Sequence, residues 1–211
     1  MFLKTFCCGP VGTNAYLFSC PVTKRAAVVD CPQGSALEIL PLVQELGFSV
    51  EMLLLTHSHW DHIADLSILQ KKLGAKIYVH ADDAKNVEKP GSDGLRLLFP
   101  IEGSKPDVLL KEGQILHLGN LEIQVLHTPG HSLGGVCFYL AEEKVLFSGD
   151  TLFHGTIGRL DLPTSSTERM WPSLEKLAHL PPDTKVFPGH GDPTSIGRET
   201  WLKNAKNLFT N

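Results

Sequence analysis

The run Met52-Leu53-Leu54-Leu55-Thr56-His57-Ser58-His59-Trp60-Asp61-His62 passes from a short apolar stretch directly into four metal-competent side chains. An apolar segment this short, bounded by polar residues, reads as a buried strand over residues 50–55. In an extended or turning segment beyond it, positions 57 and 59 face the same side, and a turn carries Asp61 and His62 round. Imidazole and carboxylate suit zinc, iron or manganese, and no cysteine joins the set, which argues against a soft thiolate site.

Three more ligand types follow predicted strands. Residues 121–127 lead to His131, residues 144–148 to Asp150, and residues 185–187 to His190. Loops leaving the carboxyl ends of strands gather at one rim of a layered sheet fold, where such folds commonly place their chemistry. Gly130, Gly149 and Gly189 stand beside these groups, where the chain must turn sharply or approach closely. His57, His59, Asp61, His62, His131, Asp150 and His190 are too many donors for one ion. A catalytic zinc takes three protein ligands plus water, so two ions sharing a carboxylate account for the set better.

Further strands are expected over residues 76–79 and 136–140. Helices are expected over residues 35–46, stopping at Gly47, and over residues 64–73, stopping at Gly74. Pro41 within the first of these demands a kink or a break. Residues 167–180 form an amphipathic helix halted by Pro181-Pro182, and residues 198–209 a last one, while residues 89–106 read as a long loop. Strands and helices interleave at both ends, which favours an α/β layered fold, expected as a single domain over residues 1–211.

The composition narrows the class of partner. Of the 211 residues 42% are hydrophobic, ample for a core, and the formal charge is −4. With a pI near 6.2 and scattered lysines and arginines, there is no basic footprint for nucleic acid or an anionic membrane. Small molecules are the expected partners. No apolar run approaches the length of a spanning helix, and Gly9-Pro10 follows the N-terminal residues before a signal core could form. Five cysteines, an odd count without framework spacing, read as reduced thiols in a cytoplasm, the neighbours Cys7 and Cys8 included.

Taken in order, Thr56-His57-Ser58-His59-Trp60-Asp61-His62, Thr128-Pro129-Gly130-His131-Ser132, Ser148-Gly149-Asp150-Thr151-Leu152-Phe153 and Pro188-Gly189-His190-Gly191 resemble the motifs of the metallo-β-lactamase superfamily. Within it the chain is similar to the short bacterial glyoxalase II-like hydrolases. The resemblance implies an αββα sandwich, two mixed sheets flanked by helices. It implies that His57, His59 and His131 hold one metal, that Asp61, His62 and His190 hold the other, and that Asp150 bridges them. It further implies hydrolysis of a thioester such as S-lactoylglutathione by a metal-bridging hydroxide, which Asp61 orients.

Neighbouring positions sort the members of this family. Lactamases usually carry cysteine where this chain has Asp150, and flavin-linked di-iron members carry glutamate where it has His59. Full-length glyoxalase II has lysine and then tyrosine where this chain has Arg159-Leu160, and persulfide dioxygenases share the arginine. Arg159 is thus a candidate substrate contact through its planar fork, or else an ion-pair partner of Asp161. A single-iron persulfide dioxygenase and a non-catalytic metal-bound interaction module are the alternative readings. Ile63-Ala64-Asp65 replaces the family's usual paired glycines, and Asp30-Cys31-Pro32 replaces the Asp-Pro-Gly at the end of its second strand. His80, His117, His127, His154 and His179 lie outside the motifs and read as structural or surface histidines. Trp60 and Phe153 are candidates for the pocket wall.

Overall fold

A computed structural model describes residues 1–209. The first half of the chain runs β1 (Phe2–Cys8), β2 (Thr13–Ser19), β3 (Arg25–Val29), α1 (Ser35–Leu46), β4 (Ser49–Leu54), α2 (Trp60–Ile63), α3 (Leu66–Leu73), β5 (Lys76–His80), α4 (Ala81–Glu88) and β6 (Val108–Leu110). The second half runs β7 (Ile115–Leu118), β8 (Leu121–His127), β9 (Val136–Leu140), β10 (Val145–Gly149), β11 (Leu152–Phe153), β12 (Thr156–Ile157), α5 (Thr167–Ala178), β13 (Lys185–Pro188) and β14 (Thr194–Ser195), then a 3₁₀ turn at Thr200–Asn204 and α6 (Ala205–Phe209). Two six-stranded sheets result, ordered β1-β2-β3-β4-β5-β6 and β14-β13-β10-β9-β8-β7, with β11 and β12 as a small hairpin. Both sheets are mixed. In the first, β3 to β6 are parallel; in the second, β10 and β13 are parallel while β7 to β10 alternate.

The period-2 alternation of strand side chains sorts the apolar residues into three layers. In β2, Tyr16 and Phe18 face the second sheet, packing with Val125, Phe138 and Phe147, whereas Ala15 and Leu17 face outward. That outer face is covered by Ile39 of α1, by Leu66 and Leu69 of α3 and by Val87 of α4. On the other side, Cys137, Leu146 and Val186 leave the second sheet to meet Met170, Leu174 and Leu177 of α5. The expected αββα sandwich is the observed architecture. Between the sheets, Phe147 stacks on Phe18 at 5.2 Å and lies 5.1 Å from Tyr16 between ring centroids.

Several local expectations are corrected. Pro41 does not break α1, which is continuous from Ser35 to Leu46. Its missing N–H would pair with the carbonyl of Leu37, on a side of the helix that faces solvent, where Leu37 is 80% exposed. The helix expected over 64–73 begins at Leu66, and a separate turn, α2, lies over the histidine motif itself. The C-terminal helix is 3₁₀ in its first part. Asp30 follows the third strand rather than the second, because β1 pairs with β2 ahead of it. The two motif departures meet: Cys31 N–H donates to the His62 carbonyl at 2.7 Å and Asp65 N–H to the Cys31 carbonyl at 2.8 Å. The Asp65 carboxylate then accepts from Gly34 N and Ala36 N, capping the start of α1.

Replacing the buried ring of Phe147 by alanine is expected to cost about 3–5 kcal/mol in urea unfolding. Val22→Ala, at a position 75% exposed, should stay within about 0.5 kcal/mol.

Candidate metal centre

Five strand ends deliver the site. β8, β10 and β13 point the same way in the second sheet and release His131, Asp150 and His190; β3 and β4 are parallel in the first and release Asp30 and His57. The two sheets are fastened together at this rim. Tyr16 Oη and Asn14 Nδ2, both from β2, donate to the Pro188 carbonyl at 2.6 and 3.0 Å, two residues before His190.

All seven expected residues converge. His59 Nδ1 lies 2.9 Å from His131 Nε2, and the His57 ring is centred 4.6 Å from His59 and 5.0 Å from His131. A second cluster places Asp61 Oδ2 at 3.4 Å from His62 Nε2 and 3.3 Å from His190 Nε2. Asp150 stands between them, with Oδ2 at 3.3 Å from His131 Nε2 and 3.5 Å from His190 Nε2, and Oδ1 at 3.5 Å from His62 Nε2. His57, His59 and His131 form one group with metal-ligand spacing; Asp61, His62 and His190 form another.

The hydrogen-bond network fixes which ring nitrogens face inward. His62 Nδ1–H donates to Asp30 Oδ2 at 2.8 Å. Thr56 Oγ1–H donates to the same oxygen at 2.7 Å, and so accepts from His57 Nδ1–H at 3.1 Å. One buried carboxylate thereby sets both tautomers. His131 Nδ1–H donates to the Arg159 carbonyl at 2.9 Å, and His59 Nε2 is paired with Thr164 Oγ1 at 2.9 Å. What remains is three buried polar atoms with no hydrogen-bond partner at this site: His57 Nε2, His62 Nε2 and Asp150 Oδ1. Orphaned buried donors and acceptors are costly, and imidazole lone pairs and carboxylate oxygens held face to face by outer carboxylates and carbonyls form a donor set that fits divalent zinc, iron or manganese.

The two clusters both favour cations but differ in kind: one presents neutral lone pairs, and the other holds a proton that a metal would displace. Burial, and then the neighbouring imidazoles, hold His57 and His59 well below the ordinary histidine range, so both present neutral lone pairs. Burial also disfavours charge on His62, but Asp61, Asp30 and Asp150 outweigh it and raise the group to about 10. Burial alone would raise Asp61; His62, His190 and Thr13 reverse this and hold it well below the usual carboxylate range. At His190 the burial penalty is overcome by Asp61 and Asp150, and its pKa rises. The second cluster thus attracts cations strongly.

Positioning residues without a motif complete the site. Thr13 Oγ1 donates to Asp61 Oδ2 at 2.8 Å. Asp83, buried at the start of α4, accepts from Ser58 N, Ser132 Oγ and Gly134 N at 2.6 to 2.8 Å, tying the His57–His62 loop to the His131 loop. Gly189 is required by space, since a Cβ there would sit 2.1 Å from Asp150 Oδ1. Gly149 has φ +48° and a Cβ on it would lie 2.6 Å from the Thr56 side chain. Thr13 and Asp83 carry no signature in sequence, since a lone hydroxyl at a strand start or a carboxylate at a helix start is ordinary.

The ligands open into a cleft of about 290 Å³, walled by Val11, Trp60, Leu95, Arg96, Arg159 and Leu162. Trp60 meets Phe99 edge to face at 5.7 Å, and Phe153 packs against His190 at 6.0 Å. Arg159 is exposed and forms a bidentate pair with Asp161 at 2.9 and 2.8 Å. His80, Asp82 and His127 also have metal-ligand spacing. There, however, the two imidazoles stack in parallel at 4.0 Å and His127 Nε2 is engaged by the Leu133 carbonyl. Among the described residues no helix is long and apolar enough to cross a membrane.

Comparison with known proteins places these features. The sequence profile of the metallo-beta-lactamase superfamily matches residues 8–190. A hydroxyacylglutathione hydrolase, GloC, of Haemophilus influenzae is 37% identical over 180 residues, covering 83% of this chain and 84% of that protein. The crystal structure of the BLEG-1 B3 metallo-beta-lactamase superposes over 100% of both chains with a TM-score of 0.88 at 35% identity. That of TTHA1623 in a di-iron-bound form superposes with a TM-score of 0.79 at 36% identity, covering 94% of this chain and 96% of the other. With its two-sheet sandwich, its five histidines and two aspartates at one rim, and these matches, the chain belongs to the metallo-beta-lactamase superfamily.

Proposed function

We propose that the chain is a binuclear metal-dependent hydrolase of the glyoxalase II type, acting on a small thioester such as S-lactoylglutathione. The observation that carries this reading is the convergence of the unpartnered His57 Nε2, His62 Nε2 and Asp150 Oδ1 beneath an open cleft. The Haemophilus influenzae relative, named a hydroxyacylglutathione hydrolase, supports the substrate class.

His57, His59 and His131 would hold one ion and Asp61, His62 and His190 the other, with Asp150 between. When bound, two such ions supply Lewis acidity that makes a water nucleophilic near neutral pH and stabilises charge developing on the substrate carbonyl oxygen. Zinc suits the donors, and iron or manganese also does. Asp61 supplies orientation. Its Oδ2 is held by Thr13, which leaves Oδ1 to accept a hydrogen bond from the attacking water and aim its lone pair. A thiolate leaves without needing much protonation, so the cleft requires no general acid. Arg159, with two of its nitrogens on Asp161, offers its remaining donors to substrate. The five free thiols fit a reducing cytoplasm.

The purified protein is expected to carry about two metal ions per chain, measured by elemental analysis on the preparation assayed with S-lactoylglutathione. A single iron together with oxygen uptake on glutathione persulfide would replace hydrolysis with persulfide oxidation. Metal-loaded protein inert toward a panel of acyl thioesters, lactones and phosphodiesters would mark an interaction module instead. Asp150→Ala and His59→Ala should each lose at least one metal and nearly all hydrolysis while keeping the wild-type circular dichroism spectrum; retained activity in both defeats the two-metal reading. Asp30→Asn tests the tautomer relay, because asparagine tolerates the left-handed backbone at this position (φ 56°), while it removes the charge and turns one of the two accepting oxygens into a donor. Its metal affinity, read by chelator competition, is expected to fall about 10- to 100-fold.

A further inference from the structure

Two guanidinium groups line the cleft, and they are not equivalent. Arg159 is turned onto Asp161 in a two-point ion pair. Arg96 lines the same cleft, and among the described residues no carboxylate is in ion-pair contact with it. The loop that carries it is held in place. Asn86 Nδ2 donates to the Ser58 carbonyl at 2.6 Å, inside the ligand motif, and to Asp93 Oδ2 at 3.0 Å. Asp93 N–H donates back to Asn86 Oδ1 at 3.2 Å, and Asp93 Oδ1 accepts from Leu95 N at 2.9 Å. Phe99 closes the far side on Trp60, and Gly94 abuts Pro163.

From this arrangement we infer that Arg96 is the specificity-determining cation of the cleft, selecting thioesters whose thiol carrier bears a carboxylate. The inference rests on the thioester reading above and deepens it. A guanidinium is charged at every working pH, presents a planar fork that matches a carboxylate, and is fully available only where no internal acid has claimed it. Arg96 meets that condition and Arg159 does not. Because the loop is tied through Asn86 to Ser58, the anion is held at a fixed place relative to His57 and His59, and the scissile carbonyl is registered against them.

The test compares S-lactoylglutathione with its diethyl ester, which keeps the scissile bond and masks both carboxylates. In Arg96→Gln the ratio of kcat/KM for the acid over the ester is expected to fall about tenfold, chiefly through KM, with partial recovery in Arg96→Lys. An unchanged ratio overturns the assignment, as does lactoyl-coenzyme A outcompeting the glutathione thioester in an Arg96-dependent way. In the unmutated protein, KM for the acid should rise with sodium chloride more steeply than KM for the ester; equal slopes count against Arg96. Calorimetric binding of the inert thioether S-methylglutathione separates this inference from the hydrolase reading. Weaker binding in Arg96→Gln without any thioester hydrolysis would remove the proposed reaction and leave Arg96 as the anion contact. Equal affinity in both proteins, or no binding to either, would remove Arg96.

Discussion

The rim of this protein is built around one buried carboxylate. Asp30 accepts Thr56 N, Thr56 Oγ1 and His62 Nδ1, and through Thr56 it also settles the proton on His57. Without that relay the two imidazoles would be free to present either nitrogen, and the inward lone pairs would not be fixed. Its cost is evident in the backbone, since Asp30 adopts φ 56°, a conformation that non-glycine residues seldom take. The surrounding sheets hold it there: β3 and β4 are parallel neighbours at the centre of the first sheet, so their carboxyl ends cannot move apart.

The same rigidity reaches the second sheet. Tyr16 and Asn14 bond the end of β13, and Phe147 packs against Tyr16 and Phe18 between the layers. His131, Asp150 and His190 are therefore referred to the first sheet by an apolar interface and a few buried hydrogen bonds rather than by loop contacts. Asp83 adds a direct tie between the two longest ligand loops. A buried cluster of imidazoles and carboxylates with unpartnered polar atoms is unfavourable alone, and it persists because close-packed layers on both sides over-determine its geometry.

The proposed recognition of substrate follows a different logic. The ligands sit on strand ends, whereas the cleft wall is contributed by segments with little regular structure: residues 89–106 with Arg96, and the stretch after β12 with Arg159 and Leu162. Chemistry placed on the scaffold and selectivity placed on anchored loops let the second vary while the first is preserved.

The candidate ligands were legible in the chain because chemistry constrains their type and the strand ends constrain their position. His57 to His62, His131, Asp150 and His190 each follow a short apolar run, and those runs proved to be strands. The interleaving of strands and helices likewise announced a layered α/β fold. The first three strands were not legible: β2 is buried along its whole length, so it lacks the alternation that marks a half-exposed strand. Pro41 does not break α1 as the local rule about a missing N–H suggests, because the helix lies at the surface there, with Leu37 80% exposed. Thr13 and Asp83, and the part Asp30 plays beneath the imidazoles, became identifiable only once strands distant in sequence were packed together, because a hydrogen bond across 25 to 51 residues leaves no periodic trace. The difference between Arg96 and Arg159 is of that kind too. The sequence by itself determined which side chains can bind metal and in what order they arrive, since that depends on residue type and local pattern. Which arginine remains unclaimed at the cleft was decided by the fold, since that depends on where a neighbouring carboxylate comes to rest.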